Sequence, residues 1–495
     1  MLSAANDLRR ELKRKKTRGE VVTPPRQPPV LNPWSVPTAC FAPAGAVPHN
    51  LTMQPRELAE RICRDLRDAG HQAYLVGGCV RDISLGREPA DYDVATDATP
   101  ERVQQLFPGS LTVGAQFGVI IVVDDSTQVE VATFRSDVGY SDGRHPDQVV
   151  FSCSAQEDVL RRDFTINGLL LDPQTGQVCD FVGGRDDLRA GLVRTIGDPE
   201  LRFREDKLRM ARAVRFAARF DYAIEPATFA AIRKLAPEVL QVSAERLRDE
   251  LTKLLTEGAA RRGFELLDDS GLLQVVLPDV AKMKGVEQPP QFHPEGDVWI
   301  HTRLMLERLT PGCSRTLAWG VLLHDVGKPP TFTPPSGPGD RIRFDNHVAV
   351  GTRMAEEICR RLRFSTDATE QIAALVANHL RFKDVFQMRT STLKRFVRLP
   401  RFDEHLELHR LDCLASHGNL DAHEYVRRFL AETPPEQFRP ERLVTGDDLK
   451  AMGFSPGPLF REILEAAEDA QLDGRVATRE EALAFIRQSF PAPSV

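Results

Sequence analysis

The sequence predicts an α+β head followed by a long all-α region, and three observations predict it. Short runs rich in β-branched residues, Ala73 to Val76, Val94 to Thr96, Val119 to Val123 and Val129 to Thr133, crowd into one early stretch. Such runs suit the pleated, half-buried surface of a sheet. After about Pro199 the pattern turns helical, as in Leu201 to Phe220, Ala244 to Thr256 and His301 to Leu309. The length, 495 residues, exceeds what one core serves, so roughly two to four domains are expected.

Composition narrows the class. Hydrophobic content of 41% and charged content of 27% read as a soluble globular chain. A formal net charge of -6 excludes a wholly basic nucleic-acid binder but leaves room for a local basic patch. No uninterrupted apolar run reaches roughly 18 residues, so no membrane span is expected. The basic start, Arg9 to Arg18, lacks the apolar stretch of a secretory signal. The eight cysteines are scattered without a C-x-x-C pair, which suits reduced thiols in a cytoplasmic location. Oligomeric state is not indicated.

The elements follow in order. Residues 1–50 are basic, from Arg9 to Arg18, and then proline-rich, from Pro24 to Pro37, which forbids a continuous helix. They read as a solvated flexible extension or as an arm touching RNA phosphates. Pro55 to Ala69 reads as a helix. The strand Ala73 to Val76 runs into Gly77-Gly78, which either lets backbone amides approach a triphosphate or is simply a tight strand-to-helix turn. Arg81 lies close behind, available for phosphate charge.

Asp91-Tyr-Asp93 comes about a dozen residues later. Side chains alternate along a strand, so the two carboxylates should project together. Alone, such a pair is more often a solvated edge. Beside a phosphate-binding turn it suits magnesium, and two such ions can activate a hydroxyl and stabilise a pyrophosphate leaving group. Glu130, in the strand Val129 to Thr133, is the expected third ligand.

These residues carry a resemblance. Gly77-Gly-Cys-Val-Arg-Asp82 with Asp91-Tyr-Asp-Val-Ala-Thr96 resembles the opening of class II tRNA nucleotidyltransferases and bacterial poly(A) polymerases. Arg161-Arg-Asp-Phe-Thr-Ile-Asn167 is similar to the second family signature, with Gly168 where alanine is usual. Asp180 to Leu188 resembles the third, Glu205-Asp-Lys-Leu-Arg209 the fourth and Ser243 to Glu250 the fifth. The resemblance implies a nucleotidyltransferase head, Mg2+ held by Asp91, Asp93 and Glu130, and a nucleotide bound by Gly77, Gly78, Arg81, Arg162 and Asp163. It also assigns base reading to Asp206 and Arg209, and phosphate and ribose contacts to Arg212 and Arg215.

The fourth motif has content of its own. Asp206, Arg209, Arg212 and Arg215 recur every three residues, each step lagging about 60° behind a full turn. On one helix they form a drifting polar stripe, with Leu208, Ala211 and Val214 on the packing side. An aspartate beside an arginine can mimic a base edge; the stripe can also be an ordinary salt-bridged surface. Between the carboxylate strand and the second motif, Arg135 to Gln148 contains Gly139, Ser141, Asp142, Gly143 and Pro146 and reads as mobile. It resembles the loop of relatives that add the terminal adenosine, with His145 where arginine is common.

Leu322-Leu-His-Asp-Val-Gly-Lys328 is a second signal. His301, His324, Asp325, His347, His379 and Asp412 follow in the order of the HD phosphohydrolase superfamily, which they resemble. Imidazoles and carboxylates suit Ni, Mn, Fe or Zn, and a bound ion generates hydroxide for attack on a phosphoester. His347 and His379 could serve a second ion or phosphate. A proline- and glycine-rich loop, Pro329 to Pro338, interrupts the region. Leu443 to Gly453 and Gly457 to Arg461 resemble the tail of HD-containing tRNA nucleotidyltransferases, which grips tRNA; the plain reading is a closing helical pair.

The expected organisation is a 1–50 extension, a 51–199 head, a 200–265 neck with the base-recognition motif, a 266–430 body with the HD site and a 431–495 tRNA-binding tail. The expected activity is addition of CCA to tRNA from CTP and ATP, with a second HD-type hydrolysis. CC-only, A-only or poly(A) addition by the same fold stands beside it. So does a metal phosphohydrolase whose head only binds RNA. Val113 to Gly118 resembles the tRNA enzymes, and no G-[RK]-[RK]-F signature of polyadenylation is present.

Overall fold

The computed structural model describes residues 53–112, 118–138 and 148–490. The 1–50 extension, most of Val113 to Gly118 and the centre of the Arg135 to Gln148 loop, His145 included, lie outside these residues.

The head is built on a six-stranded mixed sheet. Its strands are β1 (Ala73–Val76), β2 (Asp93–Thr96), β3 (Val119–Asp124), β4 (Thr127–Thr133), β7 (Leu169–Leu171) and β8 (Val178–Asp180), in the order β3-β4-β2-β1-β7-β8. Only β2 and β4 run parallel. A separate hairpin pairs β5 (Arg135–Val138) with β6 (Gln148–Phe151). The helix Pro55–Asp68 places Leu58, Ile62 and Leu66 on one apolar stripe and covers one sheet face, together with Leu75, Val94, Val129 and Val131. The opposite face buries Val76, Ala95 and Leu170 against Phe134 and Val159. Alternation therefore dictates that Asp93 and Glu130 stand on this second face, and the register pairs them directly.

The remainder is helical except for short two-stranded pairings. One correction concerns the stretch Leu201 to Phe220, expected as one helix. It is two, Pro199–Glu205 and Leu208–Phe220, broken at Asp206. Asp206 adopts an extended conformation (φ -145°, ψ 105°), and its Oδ1 accepts from the Leu208 amide at 3.1 Å. A short acceptor side chain satisfies the new helix start better than it satisfies a helix interior. Asp206 is therefore not on the arginine stripe. Leu208, Ala211 and Val214 are buried as their spacing required.

In the tail, the helix Gly446–Ala451 stops just before Gly453, whose φ is +90°, and Pro458–Leu472 begins after Gly457. Leu449, Phe454, Ile463 and Ile486 form a core of their own there. Among the described residues no helix is long and apolar enough to cross a membrane.

Candidate functional site

Strand β1 ends at Gly77, where φ is +72°, and the chain turns into the short helix Gly78–Ser84. A side chain at Gly77 would sit 3.3 Å from Arg162 Nη1 as well as being strained. Asp93 opens β2; Asp91 lies just before it and is exposed, so the two are not on one regular strand as expected. Glu130 is exposed beside Asp93. Burial and then the Glu130 charge push the Asp93 carboxyl up to about 6, with Arg162 opposing and Asp91 adding to the rise. Glu130 and Asp91 thus lie close enough to Asp93 for their charges to bear on it.

A cavity of about 940 Å³ connects these carboxylates with the fourth motif. It is lined by Gly77, Gly78, Arg81, Asp91 and Asp93 and also by Asp206, Arg209, Arg212 and Arg215. Glu130 is not among its lining residues. The arginines are positioned by carboxylates. Arg161 and Arg162 share the buried Asp158, at 2.5 and 2.8 Å. Burial pushes the Asp158 carboxyl up, but the two guanidinium groups outweigh it and hold it below the ordinary value. Asp163 accepts from Asn167 Nδ2 at 3.0 Å and from Arg212 at 2.7 Å. Here too Arg212 and Asn167 overcome burial, holding the carboxyl at about 2. Arg81 is buried, donates to Asn167 Oδ1 at 2.6 Å and lies 4.6 Å over the Phe220 ring. It also lines the cavity, though buried and paired rather than open.

Asp206 and Arg209 do not pair with each other. Arg209 donates to Glu205 at 2.6 Å, and Asp206 accepts from Arg246 at 2.7 Å. Arg215 is buried, bonded to Glu250 at 2.5 Å and to Glu257 at 3.1 Å. Arg246 and Glu250 belong to the fifth motif, on the helix Ala244–Thr256, so that motif locks the fourth. Their spacing, four residues on one helix, was the signal that both face the same neighbour.

The second cluster lies among the helices of the body. His301 is on Val298–Glu307, His324 caps Arg315–Leu323, His347 opens His347–Arg361, His379 follows Thr366–Asn378, and Asp412 is on Phe402–Ala415. Gly327 lets two of these segments meet, since a Cβ there would fall 2.1 Å from the His347 carbonyl oxygen. Ligand atoms of His301, His324 and Asp412 come within 4.8 Å of one another, and so do those of Asp325, His347 and His379. Nδ1 of His324, His347 and His379 each donates to a backbone carbonyl, of Val321, Phe344 and Val376. That leaves their Nε2 lone pairs facing inward. Nε2 of His347 and of His379 and Asp325 Oδ1 are buried without a hydrogen-bond partner, while His301 Nε2 lies 3.1 Å from Asp412 Oδ1 and His324 Nε2 3.1 Å from Asp325 Oδ2. Burying so many acceptors in one place is costly unless a cation takes them.

Burial pushes His347 down and His379 down to about 4, which keeps both neutral and able to ligate. Burial also opposes the Asp325 charge, but His324 and Lys328 overcome it and hold the carboxyl well below its ordinary value. Lys328, buried, reaches Asp325 at 2.7 Å and Gln288 at 2.6 Å. Its place three residues after Asp325 was the only sequence signal for that contact.

Residues 73–194 match the family model described as the poly(A) polymerase head domain. Residues 297–400 match the HD domain. This chain carries a nucleotidyltransferase head and an HD domain. Residues 221–284, between them, match the "probable RNA and SrmB-binding site of polymerase A". Asp412 lies beyond the HD match yet completes its cluster.

The CCA-adding enzyme of Geobacillus stearothermophilus is 43% identical over 227 residues, 46% of this chain and 56% of the relative. That of Geobacillus thermodenitrificans (strain NG80-2) is 42% identical over 273 residues, 55% of this chain and 64% of the relative. The chain thus spans little more than half the length of these curated relatives. Among solved structures, the Bacillus stearothermophilus CCA-adding enzyme in complex with CTP superposes with a TM-score of 0.67 at 28% identity, covering 88% of this chain and 98% of that one. The nucleotidyltransferase head and the HD domain both imply divalent-cation use.

Proposed function

We propose that this chain adds CCA to the 3′ end of tRNA, taking CTP and ATP as substrates. The observation that carries the reading is the single cavity that joins Asp91 and Asp93 to Asp206 and Arg209. The carboxylates suit a triphosphate with its cations, and Asp206 with Arg209 suits a base edge. The CTP complex of the 28% identical relative supports the same reading.

Asp91, Asp93 and Glu130 are the residues that would hold Mg2+, which supplies positive charge at the attacking and leaving oxygens. The primer 3′ oxygen bonds to the α-phosphorus, the α–β bridging P–O bond breaks, and pyrophosphate leaves. Gly77 and Gly78 give the triphosphate a backbone surface, and Arg162, Arg212 and Arg215 contribute charge toward phosphate and ribose. Asp206 and Arg209, each held by its own partner, present acceptor and donor to the base. Fixed groups of this kind act by positioning and electrostatics.

The HD cluster is read as a phosphohydrolase centre for a transition-metal ion (Ni, Mn, Fe or Zn), acting on cyclic phosphates or phosphomonoesters. The buried, unpartnered Nε2 atoms support it. The 1–50 extension, 51–199 head, 200–265 neck, 266–430 body and 431–495 tRNA-binding tail remain the division that fits this reading. Free cysteines throughout the described residues suit a cytoplasmic location.

The deciding experiment offers the protein Mg2+ and a tRNA ending before CCA, with CTP alone, ATP alone, or both, and sequences the product ends. Two C residues followed by one A, only with both nucleotides, is the expected result. C-C only, A only or a long A tail keeps the head chemistry and changes the function. No incorporation, with hydrolysis of a 2′,3′-cyclic phosphate intact, makes the HD centre the enzyme.

A further inference from the structure

His301 is gripped on both edges of its ring. Its Nε2 lies 3.1 Å from Asp412 Oδ1, on the side facing the His324 ring, 5.4 Å away between centroids. Its Nδ1, on the other edge, lies 2.7 Å from Glu295 Oε1. The same Glu295 oxygen meets His293 Nδ1 at 2.8 Å, and the His293 and His301 rings pack edge to face at 4.9 Å. His301 is fully buried, and the Glu295 side chain is only 7% exposed.

The other three histidines of the centre rest Nδ1 on neutral backbone carbonyls. His301 alone among the four has a carboxylate there. Burying a carboxylate is unfavourable unless it is well satisfied. Glu295 is incompletely satisfied, because its Oε2 is buried with no partner. Its hydrogen bonds go to the two imidazoles. Glu295 lies at the Nδ1 edge of the ring, opposite Nε2, where its oxygen and the two imidazoles also come within 4.8 Å of one another.

We propose that Glu295 is a positioning residue of the HD metal centre. It holds the proton of His301 on Nδ1, turns the Nε2 lone pair toward Asp412 and His324, and raises the basicity of that nitrogen through its charge. His293, bonded to the same oxygen, fixes Glu295 in place. The inference rests on the reading of His301, His324 and Asp412 as metal ligands, and nothing in the sequence pattern separates Glu295 from an ordinary loop acid.

The test uses full-length protein stripped of metal, then titrated with Ni2+ in competition with a chromophoric chelator. E295A should weaken Ni2+ binding about 10- to 100-fold. E295Q keeps an acceptor without the charge and should fall between E295A and the parent. Circular dichroism melts establish that each variant is folded. If E295A is folded and binds Ni2+ within about twofold of the parent, the proposal is overturned. If E295A does not fold, E295Q decides, and parental affinity in E295Q overturns it. A parent that binds no Ni2+, Mn2+, Fe2+ or Zn2+ defeats the metal-centre reading itself, a different failure from loss of the Glu295 effect.

Discussion

Asp93, half-buried, faces the exposed Glu130 across the parallel β2–β4 register, with Asp91 close by, and like charges so placed destabilise a metal-free fold. Asp93→Asn should therefore act in opposite directions on stability and activity. It should abolish nucleotide transfer, by about a thousandfold or more, while raising the metal-free melting temperature by roughly a few degrees. Thermal scans with and without Mg2+ check both halves, because the parent should be stabilised by Mg2+ and the variant should not. Asp163 gives the contrasting case. Its carboxyl is held at about 2, below the ordinary 3.8, so its pairing with Arg212 stabilises the fold fully above about pH 4. The contribution is lost as pH falls through about 2. Asp163→Asn should cost about 2 kcal/mol at neutral pH, and the gap from the parent should narrow between about pH 4 and pH 2. Urea midpoints measured across that range test it; a gap independent of pH would sink the assignment. At this scale the alternation argument, made for Asp91 and Asp93, did not hold because Asp91 precedes the strand, whereas Glu130, named from its strand, is set beside Asp93 by the β2–β4 register. Gly168 was legible as a departure, and it sits in a tight place: a Cβ there would meet the Val182 side chain at 2.9 Å and the Ile196 side chain at 3.1 Å.

The helix Ala244–Thr256 does more than pack. One side presents Arg246 to Asp206 and Glu250 to Arg215, and on another Thr252 accepts from Trp319 Nε1 at 2.9 Å. The Arg215–Glu250 pair is deeply buried, with side-chain exposures of 6% and 5%, and Arg215 also lies 4.3 Å over Phe216. Removing one partner strands the other charge. Glu250→Ala should cost roughly 3 kcal/mol, moderated by Glu257, with Glu250→Gln in between. Urea unfolding followed by circular dichroism measures it, and an unchanged Glu250→Ala midpoint would show that Glu257 suffices for Arg215. The elements themselves were largely readable. Ala244 to Thr256 appears with the ends its periodicity gave, and the four strands of the apolar runs all pair in one sheet. The break at Asp206 was not, because helical spacing continues through it. What ends the first helix is a cap made by Asp206 and an ion pair with Arg246, forty residues away, and no local pattern carries that distance.

At the scale of the whole molecule, sequence order foretold which histidines and aspartates meet in the body, since six residues from five separate segments converge as their order implied. It could not foretell their grouping. His301 and His324 lie with Asp412, and Asp325 lies with His347 and His379 while also touching His324 Nε2 at 3.1 Å. Helix packing decides that, not spacing. Charge works at the same scale. The chain carries a net -6, yet basic side chains outnumber acidic ones around the cavity between head and neck. An RNA drawn to such a protein is held by a local field that salt screens within about 8–10 Å at physiological strength. Most cavity arginines are already tied to carboxylates, so the number of phosphates they can neutralise is modest. Affinity for tRNA should fall about a hundredfold between 50 and 200 mM KCl, less than for a wholly basic binder making many phosphate contacts. Filter binding across that range gives the slope. A nearly flat slope would mean that phosphate contacts do not hold the RNA, and the tRNA reading would then lack its electrostatic basis. A slope much steeper than predicted would place the main grip outside the cavity, on the basic 1–50 extension, and deletion of those residues should then flatten it.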